Sequence, residues 1–231
     1  MNQSKSIVLL SAGLDSTVNL FLAHKKSQVV QTITFNYGQR ALAKEVEHSK
    51  KLSDYLHIPH VVIDLPWLKN IGKSSLNNNQ FTVPTGKDVS IADHAVSTQT
   101  AKSVWVPNRN GVFLNIAACL AEAAGADQVI PGFNLEEAAT FPDNSEAYID
   151  ATTKAFKFST ANAVKVICHT VKMHKTEIMK LAIDEKIPLK MIWPCYFSFD
   201  QWCGECESCL RTKRAMIQNN LNAQGHFAKD K

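Results

Sequence analysis

Short apolar runs alternate with helical patterns along this chain, and the alternation sets the expected architecture. Ser6-Ile7-Val8-Leu9-Leu10 reads as a buried strand, and Val29-Val30-Gln31-Thr32-Ile33-Thr34-Phe35 as a second. His60-Val61-Val62-Ile63-Asp64, Gln128-Val129-Ile130 and Val164-Lys165-Val166-Ile167 supply three more. After the first run, Val18, Phe21 and Leu22 share one helical face, and Lys25 and Lys26 close the last turn, where cations suit the helix dipole. Leu42, Val46, Leu52 and Leu56 mark the apolar face of a second helix. A helix over residues 111–125 is almost wholly apolar or small, which predicts that it lies buried in the core with Cys119 packed inertly, and Gly125 fits its C-terminal cap. Lys175-Thr176-Glu177 opens another, with Ile178, Leu181 and Ala182 as its apolar face. Such alternation predicts an α/β fold: a doubly wound, parallel, five-stranded, Rossmann-like sheet with ligands gathered at the C-terminal strand ends.

Residues 70–104 interrupt the pattern. Ser74-Ser75, Asn77-Asn78-Asn79, Pro84, Gly86 and scattered threonines leave little to bury, which predicts a mobile segment near the site. The expected division is an α/β domain over residues 1–190 that includes this loop, and a small metal-binding module over residues 191–231.

Composition narrows the partners. At 231 residues and 45% hydrophobic, the chain supports one sizeable core. A formal net charge of +4 and a pI near 8.7 permit anionic nucleotides but fall short of a nucleic-acid footprint, so no direct nucleic-acid binding is expected. Without an eighteen-residue apolar run or a signal-peptide pattern, no membrane partner and a cytoplasmic location are expected.

Chemistry concentrates at two places. Leu10-Ser11-Ala12-Gly13-Leu14-Asp15-Ser16-Thr17 joins the first strand to the first helix. Such a loop aims backbone N–H groups, a helix N-terminus and hydroxyls at one spot, which makes an anion site, although an ordinary β–α turn has the same composition. Ser16 is placed to cap the helix and Gly13 to allow close backbone approach. No Walker loop is present, because the Gly-Lys-Ser/Thr pair is missing. The second place is Cys195, Cys203, Cys206 and Cys209. Four thiolates suit a closed tetrahedral Zn²⁺ site at about 2.3 Å, with Gly204 supplying a turn. An iron–sulfur cluster takes the same donors, and disulfides are disfavoured in the cytosol. Residues 211–216 then read as a short helix carried by the metal knot.

Ser-Ala-Gly-Leu-Asp-Ser at 11–16 is similar to the S-G-G-x-D-S signature of the N-type ATP pyrophosphatases, which adenylate a substrate and release pyrophosphate. Ala12 stands where that family has its first glycine. A positive φ costs an alanine roughly 1–2 kcal/mol, so a negative φ is expected there. Over nearly its full length the chain resembles the QueC/ExsB family of the queuosine pathway. The landmarks are Y-G-Q-R at 37–40, V-P-N-R-N at 106–110, F-P-D at 141–143, K-T-E at 175–177, and the four cysteines closing in C-x-x-C-x-R with Arg211.

The resemblance implies conversion of 7-carboxy-7-deazaguanine and ammonia to the nitrile at the expense of ATP, with Mg²⁺ and Zn²⁺, in a homodimer. It implies that Leu10, Ser11, Ala12, Gly13, Leu14, Asp15, Ser16, Thr17 and Arg40 surround ATP, with Asp15 placing Mg²⁺. Asp15, Ser16, Arg109 and Lys175 are the implied catalytic set; Asn110, Asn134, Glu136 or Glu137, and Asp143 face the deazapurine; and Cys195, Cys203, Cys206 and Cys209 bind the metal. One stretch departs from the family pattern: Asn144-Ser145 stands where the family has Cys-Arg. A related ligase acting on another carboxylate, and a tRNA thiolase of the same superfamily, are therefore the alternatives.

Overall fold

In the computed structural model, which describes residues 3–228, β1 (Lys5–Leu9), β2 (Gln28–Asn36), β3 (His60–Asp64), β4 (Gln128–Ile130) and β5 (Lys165–Val166) form one all-parallel sheet. Its order is β3-β2-β1-β4-β5. The chain builds outward from β1 to β3 and then returns to the other side of β1. This reversal opens a crevice beyond the C-terminal ends of β1 and β4, the usual ligand position in such sheets.

Eight helices surround the sheet among the described residues: α1 (Leu14–Lys26), α2 (Leu42–Tyr55), α3 (His94–Val104), α4 (Arg109–Ala123), α5 (Leu135–Ala138), α6 (Glu146–Ser159), α7 (Lys175–Asp184) and α8 (Glu207–Gln218). Side chains alternate across the strands, so each strand feeds two cores. Val8 and Ile130 pack with α1 and α7, while their neighbours Ile7 and Val129 pack with Leu114 and Ala117 of α4 and Phe156 of α6.

Three elements differ from expectation. Helix α4 is only half buried: Leu114, Ala117, Ala118 and Ala121 face inward, and Cys119 is exposed rather than packed. Small residues carry too little contrast for the pattern to reveal which face turns inward. On α2 the buried face runs through Ser49, Leu52 and Ser53 rather than Leu42 and Val46. The two serines bury because they hydrogen-bond: Ser49 Oγ donates to the Leu10 carbonyl (3.1 Å), and Ser53 Oγ pairs with Thr32 Oγ1 (2.7 Å). Finally, the 71–104 stretch buries several side chains. Asp93 caps α3 by accepting from the Ala95 and Val96 N–H groups, and Leu76, Val83, Val89, Ala101 and Val104 are buried. Polar side chains again do the anchoring, as where Asn77 Nδ2 donates to the Leu68 carbonyl (3.1 Å).

The C-terminal segment shares the core of the main body. Trp193, Cys195, Trp202 and Phe227 lie in the same hydrophobic cluster as α1 and α7. Helix α8 begins at Glu207, with Cys206 as its N-cap, four residues before the sequence pattern placed it.

Candidate active site

The loop from β1 to α1 has an unexpected backbone at Ala12. Ala12 has φ +58° and is fully buried, against the expectation of a negative φ. Its carbonyl accepts a hydrogen bond from the Trp193 N–H (2.7 Å), which holds the peptide in the left-handed conformation. Gly13 is the N-cap at φ −63°, so its conformational freedom is unused. Ser16 does not cap: its Oγ donates to the Gly13 carbonyl (3.2 Å) and lies 3.3 Å from Ser11 Oγ. The glycine that steric contact demands is Gly132, just after β4. A Cβ there would sit 2.5 Å from the Ser16 Cα and N, so only glycine lets the two loops meet. Pro131-Gly132 directly after a strand was the available sequence signal.

Lys175 reaches this loop from α7. The helix is held at its first turn by Glu177, whose carboxylate accepts from the His174 N–H (2.7 Å). Lys175 is 3% exposed; its ammonium pairs with Asp15 Oδ2 and lies 3.5 Å from Glu137 Oε1. Burial alone would favour neutral lysine, but the two carboxylates raise its pKa. Burial raises the pKa of Asp15, against the pull of Lys175; for Glu137, burial is outweighed only by Lys175 together with Asn134, Arg211 and Arg109, and the pKa is lowered. Asn134 positions both acids, donating to Asp15 Oδ2 (3.2 Å) while its Oδ1 accepts from the Glu137 N–H (2.9 Å). Asp15 Oδ1 is buried and has no hydrogen-bond partner among the described residues.

On the opposite wall, Arg109 opens α4 after Asn108, which is itself left-handed at φ +51°. The guanidinium lies over the rings of Tyr37 (5.6 Å) and Phe113 (5.9 Å) and donates to Tyr37 Oη and Asn110 Oδ1, each at 3.3 Å. Burial would lower its pKa, but Tyr37 and Asp143 raise it. Burial raises the pKa of Asp143, and Asn110 Nδ2 is buried with no partner among the described residues. Trp105 and Phe141 stack nearby, 6.0 Å apart and 7° from parallel.

These groups face one cavity of about 250 Å³. Leu10, Ser11, Gly13, Leu14, Asp15, Ser16, Arg40, Arg109, Asn110, Glu137, Asp143 and Lys175 all line it. Four expected residues do not: Ala12 and Thr17 are buried behind the loop, and Asn134 acts through Asp15. Glu136 turns away to Arg211 and Arg214, so of the adjacent pair it is Glu137 that faces the cavity. Burial would raise the Glu136 pKa, but the two arginines and the Lys175 N–H hold it at about 2. Arg40, although on the wall, donates to the carbonyls of Ser75 (2.8 Å) and Phe81 (2.6 Å), so it anchors the 74–81 segment. Tyr37, Glu45, Tyr196, Glu207 and Arg211 line the cavity without having been singled out as site residues. Glu45 escaped because the apparent face of α2 placed it among solvent-facing charges.

The four cysteine sulfurs lie within 4.8 Å of one another, and Cys203 and Cys209 are 3.8 Å apart. A tetrahedron with 2.3 Å Zn–S bonds needs sulfurs about 3.8 Å apart, so the donor set fits a metal ion. Backbone N–H groups of Cys203 (3.3 Å) and Phe197 (3.4 Å) point at Cys195 Sγ, and those of Cys206 (3.3 Å) and Glu205 (3.4 Å) at Cys203 Sγ. Such donors favour thiolate over thiol. Gly204, at φ +76°, makes the turn between them. No helix among the described residues is long and apolar enough to cross a membrane.

The family model for queuosine biosynthesis protein QueC matches residues 5–220. The 7-cyano-7-deazaguanine synthase of Bdellovibrio bacteriovorus is 55% identical over 224 residues, which is 96% of this chain and 97% of that protein. The synthase of Carboxydothermus hydrogenoformans is 54% identical, covering 91% of this chain and 97% of its own length. That of Methanosarcina barkeri is 46% identical over 91% of this chain and 93% of its own. With a family match across most of its length and relatives of this closeness, the chain belongs to the QueC family.

Proposed function

We propose that this chain is an ATP-dependent ligase that converts 7-carboxy-7-deazaguanine and ammonia to 7-cyano-7-deazaguanine. The observation that carries the reading is the Asp15–Lys175–Glu137 bridge, which joins the phosphate-facing loop to the crest after β4 inside one cavity. A carboxylate is a poor electrophile because its leaving group is poor. Attack of its oxygen on the α-phosphorus of ATP expels pyrophosphate and leaves an acyl adenylate. Ammonia then forms the C–N bond as AMP departs, giving the amide. A second adenylation, on the amide oxygen, allows loss of AMP and a proton to leave the nitrile.

Each step builds negative charge on phosphate, so fixed donors and cations supply most of the stabilisation. The first N–H groups of α1 have no partners within the helix, and with the Ser11 and Ser16 hydroxyls they face the triphosphate. Lys175 supplies a fixed cation. Asp15 Oδ1, buried and unpartnered, is the atom that would hold Mg²⁺, which would neutralise phosphate oxygens. Arg109 is a buried guanidinium with no carboxylate in ion-pair contact among the described residues, which suits the anionic group of the substrate. Glu137, Asp143 and Asn110 offer acceptors and a donor to the guanine-like edge. Cys195, Cys203, Cys206 and Cys209 would hold Zn²⁺ as a closed structural site.

The test is incubation of purified protein with ATP, Mg²⁺, ammonium and 7-carboxy-7-deazaguanine, read by mass spectrometry. The nitrile and two equivalents of AMP are expected. Pyrophosphate release on a different carboxylate, without the nitrile, would overturn the substrate while keeping the activation chemistry.

A further inference from the structure

The reaction proposed above takes its nitrogen from ammonia, yet at neutral pH the dissolved species is overwhelmingly ammonium, which has no lone pair. We propose that Glu45 binds ammonium in the cavity and accepts its proton, so that the attacking ammonia is generated in place. The inference rests on the ligase reading and adds a nitrogen-side residue to it.

Glu45 sits in the first turn of α2, beside the C-terminal end of β2, and lines the cavity. The side-chain amide of Gln39 fixes it. Gln39 Nε2 donates to the Phe35 carbonyl (2.8 Å) and to Glu45 Oε2 (2.7 Å), and Gln39 Oε1 accepts from the Tyr37 N–H (3.0 Å). A carbonyl can only accept and an N–H can only donate, so this amide has one orientation. Glu45 Oε2 is therefore permanently an acceptor, and Oε1 is the oxygen left to gain and lose a proton.

Three of the other four carboxylates of the cavity are committed to cations. Asp15 and Glu137 face Lys175, and Glu207 is paired with Arg211 at 2.6 Å. A carboxylate already fixed to a cation is a weak base. Among the described residues Asp143, like Glu45, has no ion pair, but it lies on the crest with Oδ1 accepting from Asn144 Nδ2 (3.2 Å). Several titratable or charged groups surround Glu45. From α4, the Arg109 guanidinium acts on it across the cavity and is shared with Asp143; from the β2–α2 loop come the Tyr37 phenol and Arg40, whose guanidinium is bound to the Ser75 and Phe81 carbonyls. On α2 itself, Lys44 is paired with Glu47 (3.1 Å). Among the described residues none of these cations is in ion-pair contact with Glu45. Burial accordingly raises its pKa to about 7, against the Gln39 hydrogen bond and Arg109. That is the range in which a general base serves best at neutral pH.

The step balances. Ammonium gives one proton to Glu45 Oε1 and becomes ammonia. The nitrogen lone pair forms the C–N bond while the C–O bond to AMP breaks, its electron pair leaving with the phosphate. The excess nitrogen proton goes to the departing phosphate, and Glu45 returns its own to solvent before the next turnover.

Glu45→Gln keeps an acceptor for Gln39 and removes the base. We expect the variant to retain carboxylate-dependent pyrophosphate release and to lose amide formation from ammonium by on the order of 10²-fold or more at pH 7. Hydroxylamine, uncharged at that pH, should trap the acyl adenylate in variant and wild type at similar rates. Amide formation from ammonium within a few-fold of wild type would overturn the proposal, as would equal loss of both nucleophiles. Absence of pyrophosphate release in wild type would instead sink the ligase reading itself. A measurement on the unaltered enzyme covers the case of a variant that does not fold. If Glu45 generates the nucleophile, KM stays constant with pH when expressed as ammonium, and kcat falls as pH drops below about 7. A KM constant only when expressed as free ammonia would overturn the proposal.

Discussion

Ala12 holds a conformation that costs an L-residue roughly 1–2 kcal/mol, and the Trp193 N–H on its carbonyl is what keeps it there. Ala12→Gly relieves the strain but adds freedom to the unfolded chain, so its stability to urea should stay within about 1 kcal/mol of wild type. Ala12→Val places a β-branched side chain at the same φ in a fully buried spot and should cost more than about 2 kcal/mol. Equal effects of the two would show that φ is not the constraint. Lys175→Met is a sharper change, because it leaves Asp15 and Glu137 buried without their cation. Turnover should fall by at least about 10²-fold if the proposed role of Lys175 holds, since the fixed cation assigned to the phosphate disappears. That Asp15, Arg109 and Lys175 gather at one cavity was legible as an expectation, because the chemistry proposed for them dictates their type. The φ of Ala12, the need for Gly132 and the base character of Glu45 were not, because each depends on a partner far away in the chain: Trp193, Ser16, and the wall that buries Glu45.

At the scale of elements, the five strands and their parallel order follow from apolar runs alternating with amphipathic helices, and the structure keeps all five. Helix α3 and the buried face of α2 were hidden because serine and threonine bury there through hydrogen bonds that a hydropathy pattern does not register: Ser49 and Ser53 on α2, Ser97 and Thr100 on α3. The packing of elements yields two predictions. Gly132→Ala drives a methyl into the Ser16 backbone, which cannot give way as a flexible side chain would. It should destabilise by about 1–3 kcal/mol and, at temperatures where the variant is folded, weaken ATP binding, read as a higher KM; an unchanged KM would separate the two loops functionally. The second concerns α5 and α8, joined where Glu136 receives Arg211 (2.7 Å) and Arg214 (2.6 Å). Glu136 has a folded pKa near 2, below its ordinary value of 4.5. Its contribution is therefore complete above about pH 4.5 and is lost as pH falls through about 2. Glu136→Gln should cost about 3 kcal/mol at pH 7, with the difference from wild type shrinking in urea titrations at progressively lower pH. A gap independent of pH would mean that packing, not charge, joins the helices.

Across the whole molecule, the cysteine cluster is tied to the candidate active site by two routes. Trp193, two residues before Cys195, holds the strained Ala12 carbonyl (2.7 Å). Cys206 is the N-cap of α8, which carries Glu207 and Arg211; Arg211 bonds Glu207 (2.6 Å) and Glu136 (2.7 Å), and Glu136 accepts from the Lys175 N–H (2.9 Å). Glu207 reaches further, accepting from Ser97 (3.3 Å) and Thr100 (3.2 Å) of α3. A metal ion among the four sulfurs would therefore fix the phosphate loop from one side and the Lys175 helix from the other, while stapling a segment that shares the main core. Removing it should do two separable things. Chelation, or Cys209→Ser, should lower the melting temperature, because binding free energy at such a site is folding free energy. Below that new melting temperature, where circular dichroism still reports the folded state, KM for ATP should rise several-fold as the Ala12 loop loses its support. Trp193→Ala keeps the Trp193 N–H and the four thiols, so it should lower stability with a much smaller change in KM. A metal-free protein that melts lower yet binds ATP unchanged would confine the metal to stapling. One that melts at the same temperature would remove the staple altogether.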